Sequence, residues 1–410
     1  MYGIKRTAVS SLCYLLERFP CVAVIGARQV GKTTLLKQAL PDAPFFDLEK
    51  RLDFERIHHD PDFFLSQHKK PIVIDEAQTL PELFPALRVA IDEHRDQNGR
   101  FLISGSSSPR LLSGLTESLA GRIALFELNG LSLEEQWGAP LSMFYHYIGE
   151  GNLEGLASLK PRFSTDQLFM SWFFGSYPEP FIKFRNESKA FGVWMENYFQ
   201  TYIQRDVRTL FPGLNLTAYQ RFTGMLAASS SQILNVSEFA RSLDVSQPTA
   251  KSYFDIADGT FVWRMLPSYQ KSTSKRVTKM PKGHMRDTGL LNHLLALPSI
   301  DRLQSHPSSG HIWETFVIEQ IIKSLANTMV LVHPYYYRTN NMAEIDLILE
   351  TPAGVVPIEI KLGGTPYSRQ LQTLETFVKE HKLRFGILIN NSTETTWLTK
   401  SILQIPASCL

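Results

Sequence analysis

One stretch limits what this chain can fold into more than any other. The β-branched run Val22-Ala-Val-Ile25 leads into Gly26-Ala-Arg-Gln-Val-Gly-Lys-Thr33 and then into the helix-forming Thr34-Leu-Leu-Lys-Gln-Ala-Leu40. Buried strand, glycine-bearing loop and helix in that order make the full phosphate-loop pattern. Gly26 and Gly31 let the backbone curl until several N–H groups face one phosphate, and the helix that follows adds its positive N-terminal end. Arg28, Gln29, Val30 and Thr34 complete the loop, Lys32 is placed to hold the outer phosphates, and Thr33 to ligate Mg²⁺. A chance glycine-rich turn is the competing explanation, and it does not account for strand, loop and helix together.

A second element supports the first. Ile72-Val-Ile74 reads as another buried strand, and it ends in Asp75-Glu76. Asp75 is expected to hold Mg²⁺ through water and Glu76 to polarise an attacking water. Such a carboxylate pair belongs at the C-terminal end of a parallel strand. Between the two motifs in the chain, Pro44-Phe-Phe-Asp-Leu48 reads as an additional strand; Arg100-Phe-Leu-Ile-Ser-Gly-Ser106 reads as another, whose Ser104 or Ser106 is a candidate γ-phosphate sensor. The extra strand and the glutamate beside the aspartate look like the additional-strand class of P-loop ATPases, so hydrolysis is the expected reaction. Glu117-Ser-Leu-Ala-Gly-Arg122 precedes the strand-like Ile123–Leu128, which is expected to put Arg122 near the nucleotide end of the sheet. Arg122 is then either an arginine finger or a structural arginine pairing a carboxylate. Arg28 carries the same two readings.

At 410 residues, 43% hydrophobic and 20% charged, the chain is an ordinary globular one with room for two or three domains. Cys13, Cys21 and Cys409 form neither a disulfide framework nor a metal spacing, which points to a reduced, cytoplasmic setting. No run approaches the roughly 18 apolar residues of a membrane span, so no membrane partner is expected. The formal charge of +2 is unevenly spread: residues 206–290 hold 11 basic against 6 acidic residues. That excess hints at a polyanion, or is a solvated face.

Residues 1–130 are thus assigned to the ATPase domain and 131–205 to a helical connector. In the connector, Asn197–Val207 reads as a helix carrying Tyr198, Tyr202 and Arg205, with packing as the favoured role. In 206–290, Val236–Leu243 and Gln247–Ala257 flank a short turn and suggest helix-turn-helix, with Ser237 and Ser246 as N-caps and Pro248 in a first turn. The strand-like Thr260–Leu266 and the basic Lys271–Lys282 complete a winged-helix pattern. Residues 236–286 are candidates for DNA contact, although such modules also serve as protein-interaction elements.

In 291–410, the apolar helix His311–Leu325 carries Glu314 on the stripe of Val317, Ile318, Ile321 and Leu325. Ala343–Leu349 and Val355–Leu362 read as a hairpin, on which period-two alternation puts Glu359 and Lys361 on one face, within reach of Asp346. Asp346 and Glu359 are hard oxygen donors suited to Mg²⁺, Glu314 is a further ligand candidate, and Lys361 is placed to orient water and stabilise phosphate charge. With 12 residues between Asp346 and Glu359 and then Glu-x-Lys, the spacing resembles the PD-(D/E)xK nucleases, without the leading proline. A surface salt bridge on a hairpin is the alternative.

The order of motifs resembles the bacterial and archaeal ATPases in which an AAA-like domain precedes the domain of unknown function 4143. The resemblance spans almost the whole chain and rests on Gly26–Leu35, Ile74-Asp-Glu-Ala-Gln78, Ser104-Gly-Ser-Ser-Ser108, Leu119-Ala-Gly-Arg122, Thr201-Tyr-Ile-Gln-Arg-Asp206, Asp287-Thr-Gly-Leu-Leu291, Trp313-Glu-Thr-Phe-Val317, Glu344-Ile-Asp346 and Ile358-Glu-Ile-Lys361. It implies an α/β protein: a P-loop parallel sheet of AAA-like architecture, then a helical and winged-helix segment, then a restriction-endonuclease-like domain. It also implies Mg·ATP binding. Ala27 stands where the family pattern has proline, at a position that contributes only backbone. The leading expectation is a Mg²⁺-dependent ATPase coupled to a DNA-directed half that is a candidate nuclease. The rival is an ATP-dependent switch for a protein partner with a non-catalytic nuclease-like scaffold. A trans-acting Arg122 would require a homo-oligomer.

Overall fold

Two short apolar runs set the N-terminal architecture. The computed structural model describes residues 3–106, 119–270, 280–339, 343–364 and 368–410, so Ser107, Ser108, Glu117 and the basic segment 271–279 lie outside the described residues. The chain divides into two compact units, Met1–Leu131 with Gly259–Phe261, and Ser132–Asp258 with Val262–Leu410.

In the first unit, β1 (Cys21–Gly26), β2 (Phe45–Asp47), β3 (Ile72–Asp75), β4 (Phe101–Ser106) and β5 (Ile123–Glu127) form one parallel sheet in the order β2-β3-β4-β1-β5. Every residue of β1 and of β3 is buried, as in sheets covered on both faces. Cys21, Ala23 and Ile25 pack with Ile72, Ile74, Phe101 and Ile103 in the core. All strands run the same way, so Gly26, Asp47, Asp75 and Ser106 end at one edge. The strand that separates the loop strand from the Asp-Glu strand in space is β4, which follows the pair in sequence. The run 44–48, between the motifs in the chain, instead supplies the edge strand β2.

The second unit opens with helices. Ser188–Thr201 continues into a π-helical turn, Tyr202–Val207. Here Tyr198 and Tyr202 are buried with their hydroxyls on Tyr177 (2.6 Å) and Tyr219 (2.8 Å), while Arg205 is exposed. Next come the helix Leu216–Ala228, β6 (Gln232–Ile233), the helices Val236–Leu243 and Gln247–Gly259, β7 (Trp263–Leu266) and β8 (Lys282–Met285). The three strands are antiparallel in the order β6-β8-β7. Asn235, not Ser237, caps the first of the two short helices, because its Oδ1 reaches the Glu238 amide at the third helical position (3.3 Å). Ser246 caps the second through the Thr249 amide at 3.2 Å.

The buried helix Ser309–Ala326 precedes a mixed sheet of β9 (His333–Arg338), β10 (Glu344–Thr351), β11 (Gly354–Ile360), β12 (Gly386–Asn390), β13 (Thr396–Trp397) and β14 (Ile402–Pro406), in the order β13-β14-β12-β11-β10-β9. β10 and β11 are an antiparallel hairpin, and β11 continues parallel to β12. Leu374, Phe377 and Val378 of the helix Ser368–Glu380 pack on Ile345, Ile348 and Leu388 of the sheet. Among the described residues no helix is long and apolar enough to cross a membrane.

Candidate functional site

The loop after β1 is shaped by close backbone approach. A Cβ at Gly26 (φ 153°) would stand 2.3 Å from the Leu128 carbonyl oxygen, so only glycine fits. Gln29 is left-handed at φ 62°, and Val30 is buried. The helix Lys32–Ala39 begins here, and its first-turn amides have no earlier helical carbonyl to bond. Lys32 is buried with Nζ donating to the carbonyls of Gly26 (3.1 Å) and Ala27 (3.0 Å), which holds the ammonium over the loop. Thr33 and Thr34 lie exposed in the first turn, and Arg28 Nη2 is 4.0 Å from Glu49 Oε1. Sequence reasoning missed Arg6. Only 4% exposed, it donates from Nη1 to the Val30 carbonyl (2.6 Å) and from Nη2 to that of Asn129 (2.8 Å), bracing the loop from behind.

Opposite the loop, Thr33 Oγ1 donates to Asp75 Oδ2 at 2.6 Å, and Ser104 Oγ donates to Asp75 Oδ1. Ser104 also accepts from the Glu76 amide at 3.3 Å. Ser104 therefore fixes the Asp75 carboxylate from the neighbouring strand, and Ser106 stands in register with Gly26. Glu76 is left-handed at φ 56°, a conformation uncommon for a non-glycine residue. Gln78 Nε2 donates to Glu76 Oε2 at 2.5 Å, a partner that the sequence did not single out. The loop's backbone amides, the Lys32 ammonium, and the hard oxygens of Thr33 and Asp75 form a donor set that fits a Mg²⁺-bound polyphosphate.

Arg122 is not at this edge. It precedes β5, whose Ile123 pairs with Cys21 at the start of β1, so it lies at the opposite end of the sheet, roughly 16 Å of strand away from Gly26. Parallel strands point toward the loop edge, and a residue before a strand cannot be there. Its guanidinium instead grips Asp92 with two bonds, Nε to Oδ1 (2.8 Å) and Nη2 to Oδ2 (2.9 Å). The hydrogen bond from Arg122, with help from Arg95, draws the Asp92 carboxyl down to about 2.

In the second unit the four residues singled out come together. Asp346 lies one step beyond the Leu347–Ile358 pair of the hairpin, next to Glu359; Glu314 projects from the buried helix, and Lys361 follows β11. Lys361 Nζ is 2.7 Å from Glu359 Oε1 and 3.4 Å from Asp346 Oδ2, and the Ile360 amide donates to Asp346 Oδ2 at 2.8 Å. A fifth residue was not foreseen. Lys282, 2% exposed on β8, puts Nζ 2.5 Å from Glu314 Oε1, 2.5 Å from Glu344 Oε1 and 3.6 Å from Asp346 Oδ1. Burial opposes its charge, but Glu314, Asp346 and Glu344 together hold the ammonium above its ordinary value. Burial and then the Asp346 charge push Glu359 up to about 8 and Glu314 to about 7. Asp346 is held low by Lys361 and Lys282 against the burial that would raise it.

This pocket does not fit a divalent ion as it stands. Its carboxylates are already bridged by two ammonium groups, and among the described residues no set of three or more His, Cys, Asp or Glu is arranged to hold a metal.

The sequence matches three family profiles: an AAA domain over residues 18–137, the domain of unknown function 8612 over 165–301, and the domain of unknown function 4143 over 309–410. Uncharacterised proteins of Mycobacterium bovis and Mycobacterium tuberculosis are each 36% identical over 364 residues, covering 88% of this chain and 75% of theirs. Among solved structures, a Walker-type ATPase of Pyrococcus abyssi matches 72% of this chain and 96% of its own at 14% identity (TM-score 0.44). The Holliday junction branch migration motor RuvB of Thermotoga maritima matches 67% and 95% at 15% identity (TM-score 0.30). With a P-loop sheet at its N-terminal end and these sequence matches along its length, the chain belongs to the ATPase family in which an AAA domain is followed by the domain of unknown function 4143.

Proposed function

We propose that the chain is a Mg²⁺-dependent ATPase whose nucleotide state switches a DNA-directed C-terminal half, with the nuclease-like domain serving as scaffold. The observation that carries the ATPase reading is the Thr33–Asp75–Ser104 array beside Glu76. Lys32 and the loop amides bind the outer phosphates. Thr33 and Asp75 are the residues that hold Mg²⁺, which when bound neutralises charge on the transferred phosphoryl group. Ser104 keeps the Asp75 carboxylate turned toward Thr33. Glu76 is the general base: Gln78 fixes one of its oxygens, which orients the carboxylate toward a water at the loop edge.

In Glu76→Gln, ATP binding is retained and turnover falls by about 10²-fold or more, the lower range for loss of a general base. Normal turnover by that variant, or by Lys32→Ala, refutes the reading.

The DNA-directed part rests on a helix-strand-helix-helix-strand-strand order with antiparallel strands, which fits a winged helix, and on the basic excess of 206–290. Gln247, Lys251 and Ser252 of the second short helix are exposed, as a reading helix requires. Duplex DNA is expected to stimulate turnover, with an affinity that falls steeply as salt rises. No stimulation and no duplex binding at low salt would replace DNA by a protein partner.

A further inference from the structure

We infer that Lys282 is the resident cation of the nuclease-like pocket: its ammonium stands where Glu314 and Asp346 would share a divalent ion, so the pocket takes up no metal while it is there. The inference does not depend on the nucleotide-site reading.

Three observations carry it. First, the side chain reaches deep among the carboxylates, with Nζ 2.5 Å from Glu314 Oε1 and 3.6 Å from Asp346 Oδ1. An ion bound to those two oxygens at roughly 2.1 Å would collide with the ammonium and repel it, so the two cations exclude each other. Second, the other side of Asp346 is also taken, since Oδ2 accepts from the Ile360 amide and faces Lys361. Third, Lys282 is delivered by a fixed strand. β8 is the middle strand of its sheet, with Lys282 paired to Ile233 on one side and Leu266 on the other. Its neighbour Gly283 lies so close to Trp263 that a Cβ there would stand 2.0 Å from the indole ring. The strand cannot slide without breaking both ladders. The lysine therefore pins the β6-β8-β7 sheet to the helix Ser309–Ala326 and the hairpin, with cation and carboxylates satisfying each other's charge.

The test is manganese calorimetry and thermal melting on the full nucleotide-free chain carrying Asp75→Asn, so that the N-terminal site is silent. With Lys282 in place, no manganese binding and no shift in melting temperature are expected. Lys282→Met should gain one equivalent of bound manganese, with a rise in melting temperature on adding the ion, and adding Asp346→Asn should abolish both. Manganese binding by the Lys282 protein that Asp346→Asn removes overturns the inference, as does a folded Lys282→Met protein that binds none. Should Lys282→Met fail to fold, the Lys282 arm alone still decides.

Discussion

The two units each present a buried aspartate near an end of a β-strand, and the difference in its partners is the basis on which we propose one site that receives a cation and one that already contains it. Asp75 is held by hydroxyls, from Thr33 and Ser104, which orient the carboxylate. Lys32 donates to the loop carbonyls of Gly26 and Ala27. Asp346 is held by ammonium groups, from Lys282 and Lys361, and by a backbone amide. A carboxylate held by neutral donors attracts a hard cation; one bridged by lysines has its charge answered within the protein.

The comparison breaks first if the N-terminal site is inert. Lys32→Ala and Glu76→Gln are each expected to lower ATP turnover by about 10²- to 10⁴-fold, the range for a removed phosphate contact or general base, in a steady-state phosphate-release assay. The next largest effect is on the other side. Lys282→Ala leaves buried carboxylates without their cation and should cost about 3–5 kcal/mol in urea unfolding. Replacing Lys282 by Met together with Glu314 by Leu should recover part of that loss, because it removes both members of the pair.

Arg6→Ala strips the buried Val30 carbonyl and the half-buried Asn129 carbonyl of a donor and should cost about 1–3 kcal/mol in urea unfolding, with a raised KM for ATP and kcat less affected. An equal loss in both parameters would mean that Arg6 acts on chemistry. Arg122→Ala should leave the turnover of dilute protein unchanged, since the guanidinium is tied to Asp92 at the far edge of the sheet. A drop in turnover that is larger at high protein concentration would instead mark a site shared between copies.

The smallest effect concerns pH. Glu359 and Glu314, raised to about 8 and about 7, hold protons in the folded chain at pH values where unfolded glutamates have lost them. Their contribution is full below the ordinary glutamate value and is lost as pH rises from there through 7 and 8, so melting temperature should decline from the ordinary glutamate value upward and level off above about 8. Asp346, held low, works the opposite way and loses its contribution only in acid. Glu359→Gln should flatten the decline, and an unchanged slope in that variant would remove Glu359 as its cause.

Legibility followed the distance between partners. Gly26–Thr33 and Asp75-Glu76 carry their chemistry in contiguous residues, and the hairpin Asp346–Lys361 spans a single turn, so alternation alone brought its members together. Lys282 meets Glu314 and Asp346 across 32 and 64 residues, and Arg6 meets Asn129 across 123, so local pattern gave no signal for either. Lys282 was visible only as one more lysine of a basic run. Arg122 was misplaced for a different reason: strand direction, not spacing, decides at which edge of a parallel sheet a flanking residue falls. The same limit hid the insertion of β4 between β1 and β3, because crossover connections can bring a later strand between two earlier ones. At the N-terminus of Val236–Leu243 two capping residues competed, and the side chain that reaches the third amide won.

The most direct test of the distinction between the two aspartates is a crystal grown with manganese and a non-hydrolysable ATP analogue, read by anomalous scattering. One peak between Thr33 and Asp75, and none among Glu314, Asp346 and Glu359, is the expected result. A peak within the second cluster, with Lys282 turned away, would contradict it.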